Sequence, residues 1–89
     1  MITIDKKKLQ ELKKRSKTLR PIIRIGKNGL NDNIITEIKN HLRIRRLIKI
    51  KLLQNTRENT NINDAISDVV DKCGCVLVDK IGLTFSLYK

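Results

Sequence analysis

Hydrophobic residues recur along this chain with two kinds of spacing, and their order predicts the order of helices and strands. Three segments repeat apolar side chains every three or four residues, as one face of a helix does, at residues 4–16, 31–46 and 61–73. Four shorter β-branched or alternating runs are typical of strands, at residues 21–25, 47–53, 75–81 and 84–89. The predicted order is helix, strand, helix, strand, helix, strand, strand.

Short polar residues precede each predicted helix, where they can accept hydrogen bonds from unpaired backbone amides. We expect Thr3 to cap the first helix, Asn31 the second and Asn61 the third. Gly74 follows the third helix, at the position where a glycine ends many helices. The polar residues 54–61 predict a loop.

Connections between these elements predict how the strands pair. Each strand-helix-strand unit favours a right-handed crossover between parallel strands, and Gly82-Leu83 favours a tight type II′ hairpin with antiparallel strands. We therefore predict an α/β fold in which a helix is followed by β-α-β-α-β-β, with a four-stranded mixed sheet packed with helices. Arg24 should point to the opposite face from Ile23 and Ile25. The length of 89 residues predicts one domain, residues 1–89.

A glycine-containing loop, Gly26-Lys27-Asn28-Gly29 (the glycine loop), separates the first predicted strand from the second helix. We expect both glycines to allow positive φ angles and the close approach of another backbone. Backbone amides at the start of the following helix favour an anion such as a phosphate. A G-x-x-G sequence alone has little specificity, however, and a simple turn is the alternative interpretation.

Positive charge is concentrated in the first part of the chain. The protein has 20 Lys and Arg against 9 Asp and Glu, a net charge of +11, and residues 1–51 hold 16 basic and 4 acidic side chains, whereas residues 52–89 hold 4 and 5. Excess charge on both sides of a glycine loop is expected of a protein that binds a polyanion. A merely solvated basic surface is the alternative.

Several classes of function lack their motifs. Neither the P-loop G-x-x-x-x-G-K-[ST] nor the dinucleotide fingerprint G-x-G-x-x-G is present. Cys73 and Cys75 lie far from the single histidine and do not form a zinc pattern, so we expect them to act as a pair of small apolar residues in a reducing compartment. No His, Cys or carboxylate cluster predicts a catalytic residue, a metal or a cofactor. Without an apolar segment long enough for a membrane span or a signal sequence, we expect a cytoplasmic protein with no membrane or small-molecule partner.

The aromatic content limits how a nucleic acid could be recognised. Phe85 and Tyr88 are the only aromatic residues, which cannot form the stacking surface that reads single-stranded bases on many RNA-binding sheets. Contacts should then be made mainly to phosphate and sugar, which favours structured RNA. Duplex DNA is compatible with the charge, but no helix-turn-helix or zinc-finger spacing supports it.

Several sequence motifs resemble those of the CRM domain family, the small RNA-binding domain of YhbY-like proteins. The most specific is the run L-R-P-I-I-R-I-G-K-N-G-L at residues 19–30. Further matching segments are Leu12-Lys13, Glu37-Ile38, Leu47-Ile48-Lys49-Ile50-Lys51 and Leu87-Tyr88-Lys89.

This resemblance implies a fold similar to the C-terminal domain of translation initiation factor three and an association with precursors of the large ribosomal subunit. It also implies that the glycine loop contacts RNA with neighbouring basic residues. The expected RNA-binding residues are Gly26, Lys27, Asn28, Gly29, Lys13, Lys14, Lys17, Arg20, Arg24, Lys39, Arg43 and Arg46.

We therefore expect a monomeric, non-enzymatic protein that binds structured ribosomal RNA during assembly of the large subunit. The alternatives are a permanent structural ribosomal protein and another RNA chaperone or splicing-type RNA-binding protein. An enzyme is the remaining rival, although Asp64, Asp68 and Asp71 have the spacing of acids on a helix surface.

Overall fold

A computed structural model describes residues 4–26, 29–53 and 61–89. Within these ranges the chain forms three helices and four strands in the predicted order. They are α1 (Lys6–Ser16), β1 (Ile23–Ile25), α2 (Asp32–Arg45), β2 (Leu47–Leu52), α3 (Ile62–Cys73), β3 (Val76–Ile81) and β4 (Thr84–Tyr88). Thr3, Lys27, Asn28 and residues 54–60 of the predicted loop lie outside the described residues.

Asp5 is the N-cap of α1, and its Oδ1 accepts a hydrogen bond from the Lys8 amide at 2.7 Å. The prediction that Thr3 caps this helix was therefore wrong. A carboxylate both caps the amides and interacts favourably with the positive end of the helix dipole, so Asp5 is the better cap. Asn31 and Asn61 cap α2 and α3 as predicted.

The sheet has the strand order β1-β2-β4-β3. β1 and β2 are parallel neighbours, with Ile23 opposite Ile50 and Ile25 opposite Leu52, as the crossover through α2 predicted. β4 lies between β2 and β3 and is antiparallel to both. The predicted four-stranded mixed sheet is confirmed, and the second crossover joins parallel strands that are not neighbours.

Helices cover both sides of this sheet. The core on one side combines α2 and α3 with alternating residues of the strands, among them Ile23, Ile25, Ile48, Ile50, Phe85 and Leu87. On the other side, Leu12 of α1 is buried with Leu47 and Val78. β2 has buried residues on both faces, because Leu47 at its start packs beneath α1.

Arg24 is exposed between the buried Ile23 and Ile25, as predicted, and therefore lies on the α1 side of the sheet. At the other end of the chain, Gly82 has a φ of 58°, while Leu83 has no positive φ. This combination fits the predicted type II′ hairpin.

Cys73 and Cys75 are buried free thiols, as expected for small apolar residues. Burial raises the pKa of both thiols, that of Cys75 to about 12. Both side chains are therefore protonated at neutral pH and act as part of the core.

Candidate nucleic-acid interface

The glycine loop is closed by a backbone hydrogen bond in which the Gly29 amide donates to the Gly26 carbonyl at 2.9 Å. Gly29 has a φ of 66°, and a Cβ added there would meet nothing within 4 Å. Glycine is therefore required at this position by the backbone angle, because an L side chain is unfavourable at positive φ even where space is available.

Gly26 differs from Gly29, because it does not have a positive φ. A Cβ at Gly26 would lie 3.6 Å from Leu53 Cδ1, which is an ordinary van der Waals contact. The expectation that both glycines supply positive φ angles was wrong for Gly26. Neither the backbone angle nor the neighbouring side chain requires a glycine there.

The N-terminus of α2 follows the glycine loop directly. Asn31 Oδ1 accepts a hydrogen bond from the Ile34 amide at 2.9 Å. The amides of Asp32 and Asn33 have no hydrogen-bond acceptor among the described residues. Asp32 also places an acid in the first turn, and its negative charge opposes the binding of a phosphate to these amides.

A row of basic side chains, which we call the basic strip, crosses β1 and β2 on the α1 side. Its members are Arg24, Lys49 and Lys51, and Arg24 lies directly opposite Lys51 in the register. Like charges opposite each other destabilise a sheet, and neither residue forms an ion pair within the described part of the chain. An anionic partner would relieve this repulsion.

Lys49 and Lys51 were not among the predicted site residues. The signal was present in the sequence, because both alternate with the buried Ile48, Ile50 and Leu52. This alternation indicates a site only when β1 and β2 are known to be parallel neighbours in this register. The register places both lysines on the same face of the sheet as Arg24.

Four more predicted residues lie on α1 and the segment that follows it. Leu12 and Ser16 form the buried face of this helix, whereas the four predicted basic side chains are exposed and have no ion-pair partner in residues 4–26, 29–53 and 61–89. Two of them belong to α1, which covers the same side of the sheet as the basic strip, one is the C-cap of α1 and one follows it. These residues are Lys13, Lys14, Lys17 and Arg20.

Tyr88 contributes to the packing of α1. Its ring belongs to the small core beneath this helix, and Lys8 Nζ lies 5.7 Å from the ring centroid, within the range of a cation–π interaction. The ring is therefore already engaged by a side chain of the protein, and Phe85 is buried in the core on the other side of the sheet.

The structure separates the other three predicted residues from this group. Lys39, Arg43 and Arg46 line a cleft of about 310 Å³ together with Lys89 (the α2-end cleft). α2 has 14 residues and is thus about 20 Å long, so Arg43 and Arg46 near its end lie far from the glycine loop, whereas Lys39 lies near its middle. α2 also covers the opposite side of the sheet from α1.

Arg46 ends α2 with a φ of 68° and a ψ of −42°, a combination that is unfavourable for a residue with a side chain. Its amide donates to the Leu42 carbonyl at 2.9 Å, and its carbonyl accepts from the Lys89 amide at 3.0 Å. These backbone hydrogen bonds hold two cationic residues, Arg46 and Lys89, at the same end of the sheet. Lys89 Nζ in turn donates to the Cys73 carbonyl at the end of α3.

Within the described ranges, no group of three or more His, Cys, Asp or Glu side chains is arranged to hold a metal ion. Among the same residues, no helix has the length and apolar character needed to cross a membrane.

Comparison with known proteins identifies the family to which this fold belongs. Residues 4–89 match the CRS1 / YhbY (CRM) domain, and the chain belongs to this family. The resemblance seen in the sequence motifs is thereby confirmed.

Two relatives and one solved structure illustrate the similarity. The chain is 41% identical over 78 residues to the probable RNA-binding protein YqeI of Bacillus subtilis, covering 88% of this chain and 79% of that protein. It is 33% identical over 89 residues to an RNA-binding protein of Haemophilus influenzae, covering 100% and 88%. The solution structure of SAV1595 from Staphylococcus aureus, described as a candidate RNA-binding protein, superimposes with a TM-score of 0.78 at 29% identity, covering 98% of this chain and 88% of that one.

Proposed function

We propose that this protein binds structured RNA through the α1 side of its sheet, using the basic strip, the glycine loop and the basic residues of α1. The observation that carries the proposal is the basic strip, where Arg24 and Lys51 lie opposite each other without an acidic partner among the described residues. Membership of the CRM family and the names of its relatives favour RNA over other polyanions.

Binding to phosphate is assigned mainly to side chains. The Gly29 amide already donates to Gly26, and the Asp32 carboxylate opposes an anion at the start of α2. Arg24, Lys51 and, from the sequence, Lys27 are therefore the expected phosphate contacts around the loop. Such contacts position an RNA without reading its sequence.

The biological substrate we propose is a ribosomal RNA precursor of the large subunit, bound in the cytoplasm by a monomer without enzymatic activity. Recovery of the protein from precursor particles, and its absence from mature subunits, would support this assignment. A permanent ribosomal protein would instead be found in mature subunits. Cross-linking followed by sequencing of the bound RNA would identify the substrate and its footprint.

The salt dependence of binding tests the electrostatic basis of the proposal. If about six phosphates are neutralised, the affinity for a structured RNA should fall roughly a thousandfold between 50 and 200 mM salt. Titration of a labelled hairpin RNA at several salt concentrations measures this slope. An affinity that does not change with salt would contradict the proposed interface.

Lys27→Ala tests the contribution of the glycine loop. We expect weaker binding to all structured RNAs alike and a salt slope smaller by about one unit, because one phosphate contact is lost. Lys72→Ala is the matched control, since it removes the same charge from α3, where Lys72 is paired with Asp68 at 3.2 Å. A slope that is the same in Lys27→Ala and the wild type would remove Lys27 from the interface.

A further inference from the structure

A groove crosses the α1 side of the sheet beside the basic strip. The register places Lys49 of β2 opposite Ser86 of β4, and Ser86 opposite Asp79 of β3. Lys49, Ser86, Asp79 and neighbouring residues line a groove with a volume of about 200 Å³. This sheet groove is lined by Pro21, Lys49, Asp79, Ile81, Thr84 and Ser86.

Ser86 is the unexplained residue of the sheet groove. Its side chain is 1% exposed, and its Oγ has no hydrogen-bond partner among the described residues. Phe85 and Leu87 on either side of it belong to the opposite core, so alternation places Ser86 on the groove side. A buried hydroxyl without a partner is unfavourable, and a ligand in the groove could supply the missing partner.

The remaining residues restrict the chemistry of that ligand. Lys49 can donate hydrogen bonds and the Asp79 carboxylate can accept them, and no ion pair joins the two within the parts of the chain that the structure describes. Asp79 Oδ1 already accepts a hydrogen bond from the Lys80 amide at 2.9 Å. Pro21 and Ile81 add apolar surface, and Ile81 is 61% exposed. A free phosphate does not fit this set, because it would be repelled by Asp79.

A nucleobase fits better, since its edge combines donors and acceptors and its faces are apolar. The groove volume is below the roughly 300–1,000 Å³ of pockets for drug-sized ligands, which favours one planar ring system. Arg24 and Lys51 of the basic strip lie in the register row next to the groove, so a bound RNA backbone would pass close to it.

We propose that the sheet groove binds one unpaired nucleobase of the RNA, with Lys49, Asp79 and Ser86 contacting its edge and Pro21 and Ile81 contacting its faces. This inference rests on the proposed function. It adds base recognition to an interface whose other contacts are made to phosphates.

The test compares two hairpin RNAs that have the same stem and phosphates but differ in the loop, which carries ordinary nucleotides in one and abasic nucleotides in the other. The wild type should bind the base-bearing hairpin about tenfold more tightly, the discrimination expected of one well-placed base contact. Asp79→Asn and Ser86→Ala should each lose most of this preference. Ser86→Ala should bind the abasic hairpin as the wild type does, and Asp79→Asn should bind it at least as tightly, because a negative charge is removed.

Two controls separate binding from folding. Asp71→Asn makes the same change of charge on the exposed surface of α3 and should keep the preference. Ser86→Ala should be at least as stable as the wild type in denaturant unfolding, because it removes a buried hydroxyl that lacks a partner.

The outcomes distinguish the two proposals. Equal, salt-dependent binding of both hairpins by the wild type would overturn the nucleobase site and leave the phosphate interface intact. A preference unchanged in Asp79→Asn and Ser86→Ala would also overturn it. Failure of the wild type to bind either hairpin at low salt would contradict the proposed RNA-binding function itself.

Discussion

Gly26 and Gly29 lie in the same turn, but different physical reasons apply to them. Gly29 adopts a φ of 66°, so the fold accounts for its lack of a side chain. Gly26 lacks a positive φ and has room for a methyl group. Nothing among the described residues requires a glycine there, and we expect it to allow the close approach of a bound RNA backbone.

Gly26→Ala is the sharper test of the glycine loop. We expect the free energy of unfolding to change by less than about 0.5 kcal/mol, because no contact is strained, while the affinity for a hairpin RNA falls about tenfold, equivalent to ~1.4 kcal/mol. Chemical denaturation and RNA titration measure the two quantities. Unchanged affinity would show that RNA does not approach Gly26 closely.

Gly29→Ala provides the comparison within the same turn. It should destabilise the fold by about 1–2 kcal/mol, because an alanine must adopt a positive φ. A lower RNA affinity measured for Gly29→Ala would therefore combine a direct effect on binding with the loss of folded protein. Gly74→Ala, at a φ of 62° on the end of α3, carries the same backbone penalty away from the loop.

The helices and strands show where sequence periodicity was sufficient. Spacing of apolar residues and the caps Asn31 and Asn61 predicted α2 and α3 correctly. The first cap was misassigned because Thr3 and Asp5 are both good caps by residue type, and only the start of α1 at Lys6 distinguishes them.

The pairing of β1 with β2 reveals the basic strip, which the residue pattern within each strand does not show. Lys49 and Lys51 show the alternation expected of any strand with one polar face. Their functional significance depends on their position beside Arg24, which follows from the register of β1 with β2. A residue pattern within one strand cannot provide that register.

Lys51→Glu tests whether the basic residues of β1 and β2 act together in the basic strip. The new glutamate lies opposite Arg24, so an attractive pair replaces a repulsive one and should stabilise the fold by about 0.5 kcal/mol. For a domain of this size this corresponds to a rise of roughly 2–4 °C in Tm. The same change should lower RNA affinity at least about tenfold, because an RNA phosphate would now meet a negative charge.

Lys80→Glu is the matched control for Lys51→Glu, in which stability is expected to rise while RNA affinity falls. It makes the same change of charge on β3, opposite Phe85 and hence on the α2–α3 side of the sheet. Its RNA affinity should stay near that of the wild type. A comparable loss in both variants would mean that net charge, rather than the basic strip, governs binding.

At the scale of the whole molecule, the chain order of elements did not determine the position of β4. Hairpin formation requires β4 to pair with β3, but its insertion between β3 and β2 depends on which of the two hairpin strands pairs with β2. This insertion places Ser86 between Lys49 and Asp79 and so creates the sheet groove. The groove could not be predicted from the spacing of residues in the sequence.

The two sides of the sheet also divide the predicted RNA-binding residues. Lys13, Lys14, Lys17 and Arg20 belong to the α1 side, whereas Lys39, Arg43 and Arg46 line the α2-end cleft on the other side. The protein measures 37 × 23 × 19 Å overall, and an RNA that contacts both groups must pass around the edge of the sheet. We expect a long structured RNA to do so more readily than a short hairpin.

Charge reversal on each side, with RNAs of two sizes, tests this division. We expect Lys13→Glu combined with Lys17→Glu to weaken binding of both a short hairpin and a long structured RNA. Lys39→Glu combined with Arg43→Glu, which changes the net charge equally, should leave the short hairpin nearly unaffected and weaken the long RNA several-fold, since each lost phosphate contact reduces the salt-dependent part of the affinity. If the two double variants lose the same affinity for the short hairpin, the two sides do not bind independently. If the second double variant binds the long RNA as tightly as the wild type, the α2-end cleft is not part of the interface.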